Sequence, residues 1–273
     1  MKGLVNLGNS CYFNSAIQCI LYIPQLTNWF IKTPYEGECE LTKEYSELVE
    51  KMWSTNSEKI INPEKLLQTF KKFFKSFQNF QEQDCQEVFI HFLDVFDKSV
   101  PFTRHIFYSK MIQETICKSE TSLTYESSCV HMCFIRNGIQ TLDDILKEYQ
   151  SWNVITDFKD SKNMTHPVAT TRNMFYESSP ILVFSFKIFG NSQMVDLPST
   201  LNIKPYIHPR SECKNTTYEL FSTATYIQGH YVSFTKHNDI WLFKNDHLVE
   251  KIEKFPNIAS HYLALYKLTN SFN

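Results

Sequence analysis

Residues 3–21 read Gly-Leu-Val-Asn-Leu-Gly-Asn-Ser-Cys-Tyr-Phe-Asn-Ser-Ala-Ile-Gln-Cys-Ile-Leu. From Cys11 onward Tyr12, Phe13, Ala16, Ile17, Ile20 and Leu21 recur at a helical period that Pro24 stops, so Cys11 is expected at a helix N-terminus. Unpaired backbone N–H groups and the positive end of the helix dipole favour a thiolate there and offer hydrogen bonds to an oxyanion formed beside the sulfur. The preceding Asn6-Leu7-Gly8-Asn9-Ser10 reads as a polar turn in which Gly8 supplies a positive φ and Asn6 an amide donor. The same residues also suit an ordinary buried cysteine, the commoner case for an isolated Cys at a helix start.

Composition narrows the classes. The 273 residues suffice for one large domain or two small ones, and 42% apolar with 21% charged residues is the balance of a soluble globular chain. A net charge of −2 without any basic block argues against nucleic acid. No run is apolar enough to span a bilayer or act as a signal peptide, so no membrane association and a cytoplasmic or nuclear location are expected. The eight cysteines are then expected as free thiols.

Along the chain, Leu41, Tyr45, Leu48, Val49 and Met52 mark an amphipathic helix, and Asn62-Pro63 starts another whose Leu66, Leu67, Phe70, Phe73, Phe74 and Phe77 should be core. Asp84 and Glu87 give a capping-box-like start to a helix burying Val88, Phe89, Phe92, Leu93 and Phe96. Strand-like runs follow at 105–113, 127–135, 181–189, 218–226, 231–236, 240–243 and 261–268, interrupted by a helix over 141–149. Helices first and strands afterwards predict an α+β fold, a helical part packed on a largely antiparallel sheet. The hairpin from Gly229-His230-Tyr231 to Lys244-Asn245-Asp246 brings the end of its second strand back to the start of its first, within side-chain reach of His230.

The run GLVNLGNSCYFNSAIQ resembles the cysteine box of the ubiquitin-specific proteases, papain-like thiol peptidases. GHYVSF followed by WLFKND resembles the histidine box of that family, the terminal 261–266 its closing strand, and 81–89 its Gln-Gln-Asp-x-Gln-Glu-Phe segment. The resemblance implies a papain-like α+β domain over 1–273, with a helical thumb-like part (1–103), a reduced fingers-like part (104–180) and a palm-like sheet (181–273). It implies Cys11 as nucleophile, His230 as base and Asn245 as third catalytic residue, with Asn6 and the Cys11 N–H forming the oxyanion hole. On this reading the Asn245 amide oxygen takes the Nδ1–H of His230, Nε2 faces Cys11, and Asp246 supports through its field or a water. Asp84, Glu87 and Tyr231 are implied in binding the extended tail of ubiquitin.

The implied activity is hydrolysis of the isopeptide or peptide bond after the C-terminal glycine of ubiquitin. Alternatives are a protease for another ubiquitin-like modifier and a non-catalytic ubiquitin-binding module. The expected partner is ubiquitin or ubiquitinated proteins, and the expected state a monomer. The family usually carries a zinc site of two Cys-x-x-Cys pairs. Here Cys117 is followed three places on by Glu120, and 156–174 contain no cysteine, so neither a metal nor another cofactor is expected. Two further departures are Lys244, where an aromatic residue is usual, and the short stretch between Tyr218 and Gly229.

Overall fold

In the computed structural model, which describes residues 1–78, 83–188 and 193–269, the helical periods of the first hundred residues become five helices. These are α1 (Cys11–Ile20), α2 (Pro24–Lys32), α3 (Glu40–Trp53), α4 (Glu64–Phe73) and α5 (Cys85–Ser99). Pro24 ends the run of α1 and opens α2 at the first helical position, where its missing N–H costs nothing. Asn62 Oδ1 accepts the N–H of Glu64 to start α4, and Asp84 caps α5 by accepting the N–H of Gln86 at 2.8 Å. Residues 81 and 82 of the acidic segment lie outside the described residues.

The chain divides into two units, residues 1–104 with 221–265 and residues 105–220 with 266–273. In the first, α1 is buried over its whole length and packs on α5 and on the strand His230–His237. The rings of Phe13, Phe70 and Phe92 meet at 5.4–6.1 Å, Phe70 and Phe92 lying stacked at 4°. Truncating a fully buried Phe in such a core costs about 3–5 kcal/mol. Phe73, expected in this core, is instead 45% exposed, because α4 ends there and its last turn leaves the buried stripe. Residues 221–227, His230–His237, Ile240–Asn245 and Leu248–Ile252 form an antiparallel meander. Its first two turns, Gln228-Gly229 and Asn238-Asp239, have positive φ at both central residues, the type I′ geometry that matches strand twist.

The second unit holds a four-stranded antiparallel sheet in the order Thr121–Ser128, Ser109–Ile116, Thr165–Glu177, Asn153–Lys159. The buried strand Ile181–Lys187 pairs in parallel with His131–Phe134. Phe189, expected to end the former, lies outside the described residues. Two expected strands are corrected: 105–113 begins as the helix Thr103–Phe107, and 127–135 divides between Thr121–Ser128 and His131–Phe134 across a bend. The helix Leu142–Tyr149 is capped by Thr141, whose hydroxyl accepts the Asp144 N–H.

At Cys117, just past the end of the strand Ser109–Ile116, the neighbouring loops are closed by hydrogen bonds. Asp160 Oδ2 accepts from Ser119 Oγ and His166 Nε2, both at 2.9 Å, while Oδ1 accepts the N–H groups of Lys162 and Met164. Among the described residues no group of three or more His, Cys, Asp or Glu side chains is disposed to hold a metal ion. The Asp160 hydrogen bond raises the pKa of His166, and the same bond lowers that of Asp160. The histidine's share of the stabilisation is therefore complete below its unfolded pKa of about 6.5 and lost as pH rises through the higher folded value. The aspartate's share is present above about pH 4 and lost as pH falls through its lowered value. The melting-temperature gap between the wild type and His166→Gln should accordingly be widest between about pH 4 and about pH 6.5 and narrow at higher pH. A gap that stays flat across thermal melts over this range would show that the pair adds nothing.

Candidate active site

Gly3–Leu4 pairs in parallel with Ile60–Ile61, and Val5 continues the pairing by donating its N–H to Ile61 O. The chain then turns on its own polar groups. Asn6 Oδ1 accepts from the Gly8 N–H at 3.0 Å and more weakly from Ser10, Ser10 Oγ accepts the Leu7 N–H, and Gly8 takes φ +86°. This self-bonded turn delivers Cys11 as the first residue of α1. The turn's glycine works as expected, but the thiol does not: burial pushes the Cys11 pKa up, and Asp246 pushes the same way. Backbone hydrogen bonds, led by that of Tyr231, pull it back without cancelling the effect. The Cys11 pKa is thus held above that of an ordinary thiol, because desolvation outweighs the helix terminus.

His230 starts its strand directly after the Gln228-Gly229 turn, and Asn245 ends the next strand. His230 Nε2 donates to Asn245 Oδ1 at 2.8 Å. The pairing agrees with the expected one, but the nitrogen is the other one. Sequence reasoning assigned Nδ1 to Asn245, whereas the approach of the hairpin places Nε2 there.

Asp246, at φ 51° in the following turn, carries a side chain only 8% exposed. Its Oδ2 accepts from Asn6 Nδ2 at 2.7 Å and lies 3.6 Å from His230 Nε2, and its Oδ1 accepts from Asn14 Nδ2 at 2.8 Å. Its backbone carbonyl accepts the Leu4 N–H at 2.9 Å. The approach is close enough that a Cβ on Gly3 would fall 2.3 Å from the His247 carbonyl oxygen. Asn14 is the member of this site that sequence reasoning missed. The signal was present in a polar residue on a helix otherwise read by its apolar period, and every residue of α1 is buried.

Asn6, Cys11, Gln83, Tyr226, His230 and Tyr231 line one small cavity of about 70 Å³. Tyr226, Tyr231 and Tyr262 form a ring cluster with centroids 5.0–5.8 Å apart, and Gln86 Nε2 donates to Tyr262 O. Asp84 stands close enough to help raise the pKa of Tyr262, after burial. Glu87, on the same helix start, faces solvent.

A cysteine at a helix start that shares a narrow cavity with a histidine, the histidine held in turn by an asparagine, is an arrangement suited to thiol-dependent acyl transfer. Comparison with known proteins points the same way. Ubiquitin carboxyl-terminal hydrolase 15 of Xenopus tropicalis is 37% identical over 102 residues, 34% of this chain and 10% of that protein. Ubiquitin carboxyl-terminal hydrolase 4 of Bos taurus is 35% identical over 102 residues, again 34% of this chain and 10% of the relative. The matches therefore span about a tenth of the length of these curated relatives. A solved structure of the SAGA Ubp8/Sgf11/Sus1/Sgf73 DUB module bound to ubiquitin aldehyde superimposes with a TM-score of 0.84 over 99% of this chain and 70% of that one. At 17% identity the superposition shows the fold, which is the papain-like α+β fold expected. Residues 2–266 match the family described as ubiquitin carboxyl-terminal hydrolase, and the chain belongs to that family.

Proposed function

We propose that the chain is a thiol-dependent deubiquitinating peptidase that hydrolyses the bond after the C-terminal glycine of ubiquitin, acting as one catalytic domain over 1–273. One observation carries this reading: Cys11 and His230 line the same cavity while His230 Nε2 is held by Asn245 at 2.8 Å. With Nε2 engaged by Asn245, Nδ1 is the nitrogen left to take the thiol proton. Burial raises the Cys11 pKa, and on this reading the thiol gives up its proton to the imidazole as it attacks. The sulfur adds to the scissile carbonyl carbon, and the carbonyl oxygen gains the negative charge. The Cys11 N–H and Asn6 hold that oxyanion. An amide nitrogen carries two hydrogens, and since one of those on Asn6 is committed to Asp246 Oδ2, the second is aimed by that bond. His230 returns the proton to the leaving amine, then draws a proton from the water that releases the acyl group.

The partner inferred is ubiquitin or a ubiquitinated protein, met by a monomer of this chain. Two structural neighbours of the same fold are described as bound to ubiquitin aldehyde and to monoubiquitin. A cavity of about 70 Å³ beside Cys11 suits residues without side chains, as a glycine-ended tail presents. Asp84, Glu87 and Tyr231 are assigned to that tail. The location inferred is cytoplasmic or nuclear: none of the eight cysteines is joined in a disulfide, and no described helix is long and apolar enough to cross a membrane.

Cys11→Ala should abolish turnover of a ubiquitin C-terminal fluorogenic substrate and leave the melting temperature close to wild type. Hydrolysis by that variant would remove Cys11 from the reaction, and wild-type turnover of another modifier's substrate in place of ubiquitin's would reassign the modifier. Asn245→Asp should stay active and Asn245→Ala should lower kcat strongly. Asp246→Ala should be at least as damaging, reaching roughly 10²-fold or more, because it releases the oxyanion donor. Steady-state kcat values for the three variants check this order, and an Asp246→Ala milder than Asn245→Ala would leave Asp246 the supporting part that its place beside Asn245 suggested. Iodoacetamide alkylation of Cys11 should have its midpoint above that of an ordinary thiol, measured by mass spectrometry against pH. A midpoint near neutrality would mean a resting ion pair.

A further inference from the structure

Asn14 is buried, 2% exposed, on the nucleophile helix one turn after Cys11. Both hydrogens of its amide are used: one goes to Val5 O at 3.1 Å, the other to Asp246 Oδ1 at 2.8 Å. Its own Oδ1 is buried without a hydrogen-bond partner among the described residues. The amide is therefore oriented by what it donates to, and the fold tolerates a buried unpaired carbonyl to keep it so. Four residues on, Gln18 repeats the pattern, donating to Lys2 O and accepting from Lys244 Nζ at 2.6 Å. Residues four apart share a helix face, so the two amides form a ladder tying α1 to the N-terminal segment on one side and to residues 244–246 on the other.

We propose that Asn14 is a positioning residue for the reaction, acting through Asp246 to set the distance between the Asn6 amide, the Cys11 sulfur and the His230–Asn245 pair. The assignment rests on the peptidase reading above. Its logic is geometric: Asn14 fixes Oδ1 of the Asp246 carboxylate, and a carboxylate held at one oxygen presents the other in a fixed direction, where Asn6 Nδ2 meets it at 2.7 Å. The Val5 bond does the same from the other end, since Val5 precedes Asn6 in the chain. Without Asn14, Asp246 Oδ2 is free to turn from Asn6 toward His230 Nε2, already 3.6 Å away.

The test is a double-mutant cycle of Asn14→Ala and Asp246→Ala, read by ubiquitin–aminomethylcoumarin kinetics and by iodoacetamide alkylation of Cys11 against pH. Asn14→Ala should lower kcat roughly 10²-fold with KM little changed, the size of effect expected when a reacting group is displaced by about an ångström. The double variant should be no slower than Asp246→Ala alone, since residues acting in series do not add. Additive losses would overturn the proposal. Alkylation requires no ubiquitin and separates this idea from the peptidase reading. The profile should move to lower pH in Asn14→Ala, because a carboxylate released toward the imidazole favours the thiolate–imidazolium pair, and this displacement should vanish in the Asp246→Ala background. Superimposable profiles for wild type and Asn14→Ala would overturn the proposal even if ubiquitin is hydrolysed, and a displaced profile would support it even if ubiquitin is not. Should Asn14→Ala fail to fold, Asn14→Asp fills the same space while setting two carboxylates face to face. Adding Asp246→Asn to it exchanges donor and acceptor and should recover part of kcat, whereas no recovery would count against the pairing.

Discussion

A carboxylate taken almost out of water must be met by donors, and Asp246 is the carboxylate on which this site depends. Its side chain, 8% exposed, collects amides from Asn6 and Asn14, while its backbone carbonyl collects the Leu4 N–H. The donors come from the N-terminal segment, the turn before Cys11 and the helix that Cys11 opens. Satisfying the carboxylate and the carbonyl of one residue therefore forces three stretches of chain into a single arrangement. The positive φ of Asp246 is what lets a residue next to Asn245 aim its carboxylate at Asn6 while Asn245 keeps the imidazole.

The same helix solves a second problem of buried polarity. Lys244 is 1% exposed and its amine is held by Gln18 Oε1 at 2.6 Å and lies 3.4 Å over the Tyr22 ring. Burial pushes its pKa well below the usual range. No carboxylate is paired with it among the ion pairs of the described residues; a neutral acceptor and a ring face take its amine instead. Within the other unit, the loops beside Cys117 are closed by one aspartate accepting four hydrogen bonds, from a hydroxyl, an imidazole and two backbone amides. In both places hydrogen bonding around a single charged or titratable group organises segments distant in sequence.

Local pattern carried much of the fold. The apolar period defined α1, α3 and the buried face of α5, and cap residues placed the starts of α4, α5 and the helix after Thr141. The apolar run 181–187 and the closing strand His261–Leu268 were legible for the same reason. The strands Asn153–Lys159 and Thr165–Glu177 were not, because their exposure is high and their alternation weak, and their hydrogen bonds go to partners that no local window contains. Phe73 misled in the opposite way. Its spacing is that of a core residue, but the helix ends at it.

By itself the sequence determined the chemical inventory: a cysteine opening a helix, a glycine-containing turn before it, and a histidine and an asparagine on one hairpin whose two-residue turn sets their reach. Those features follow from residue type, short-range period and turn geometry. Only the tertiary structure decided which imidazole nitrogen meets Asn245, that burial of the Cys11 thiol raises its pKa, and that Asn6 and Asn14 converge on Asp246. Desolvation depends on everything packed around an atom, and the bonds to Asp246 join positions more than two hundred residues apart in the chain. No periodicity encodes a contact at that separation, because it exists only after α1 has been buried against the sheet.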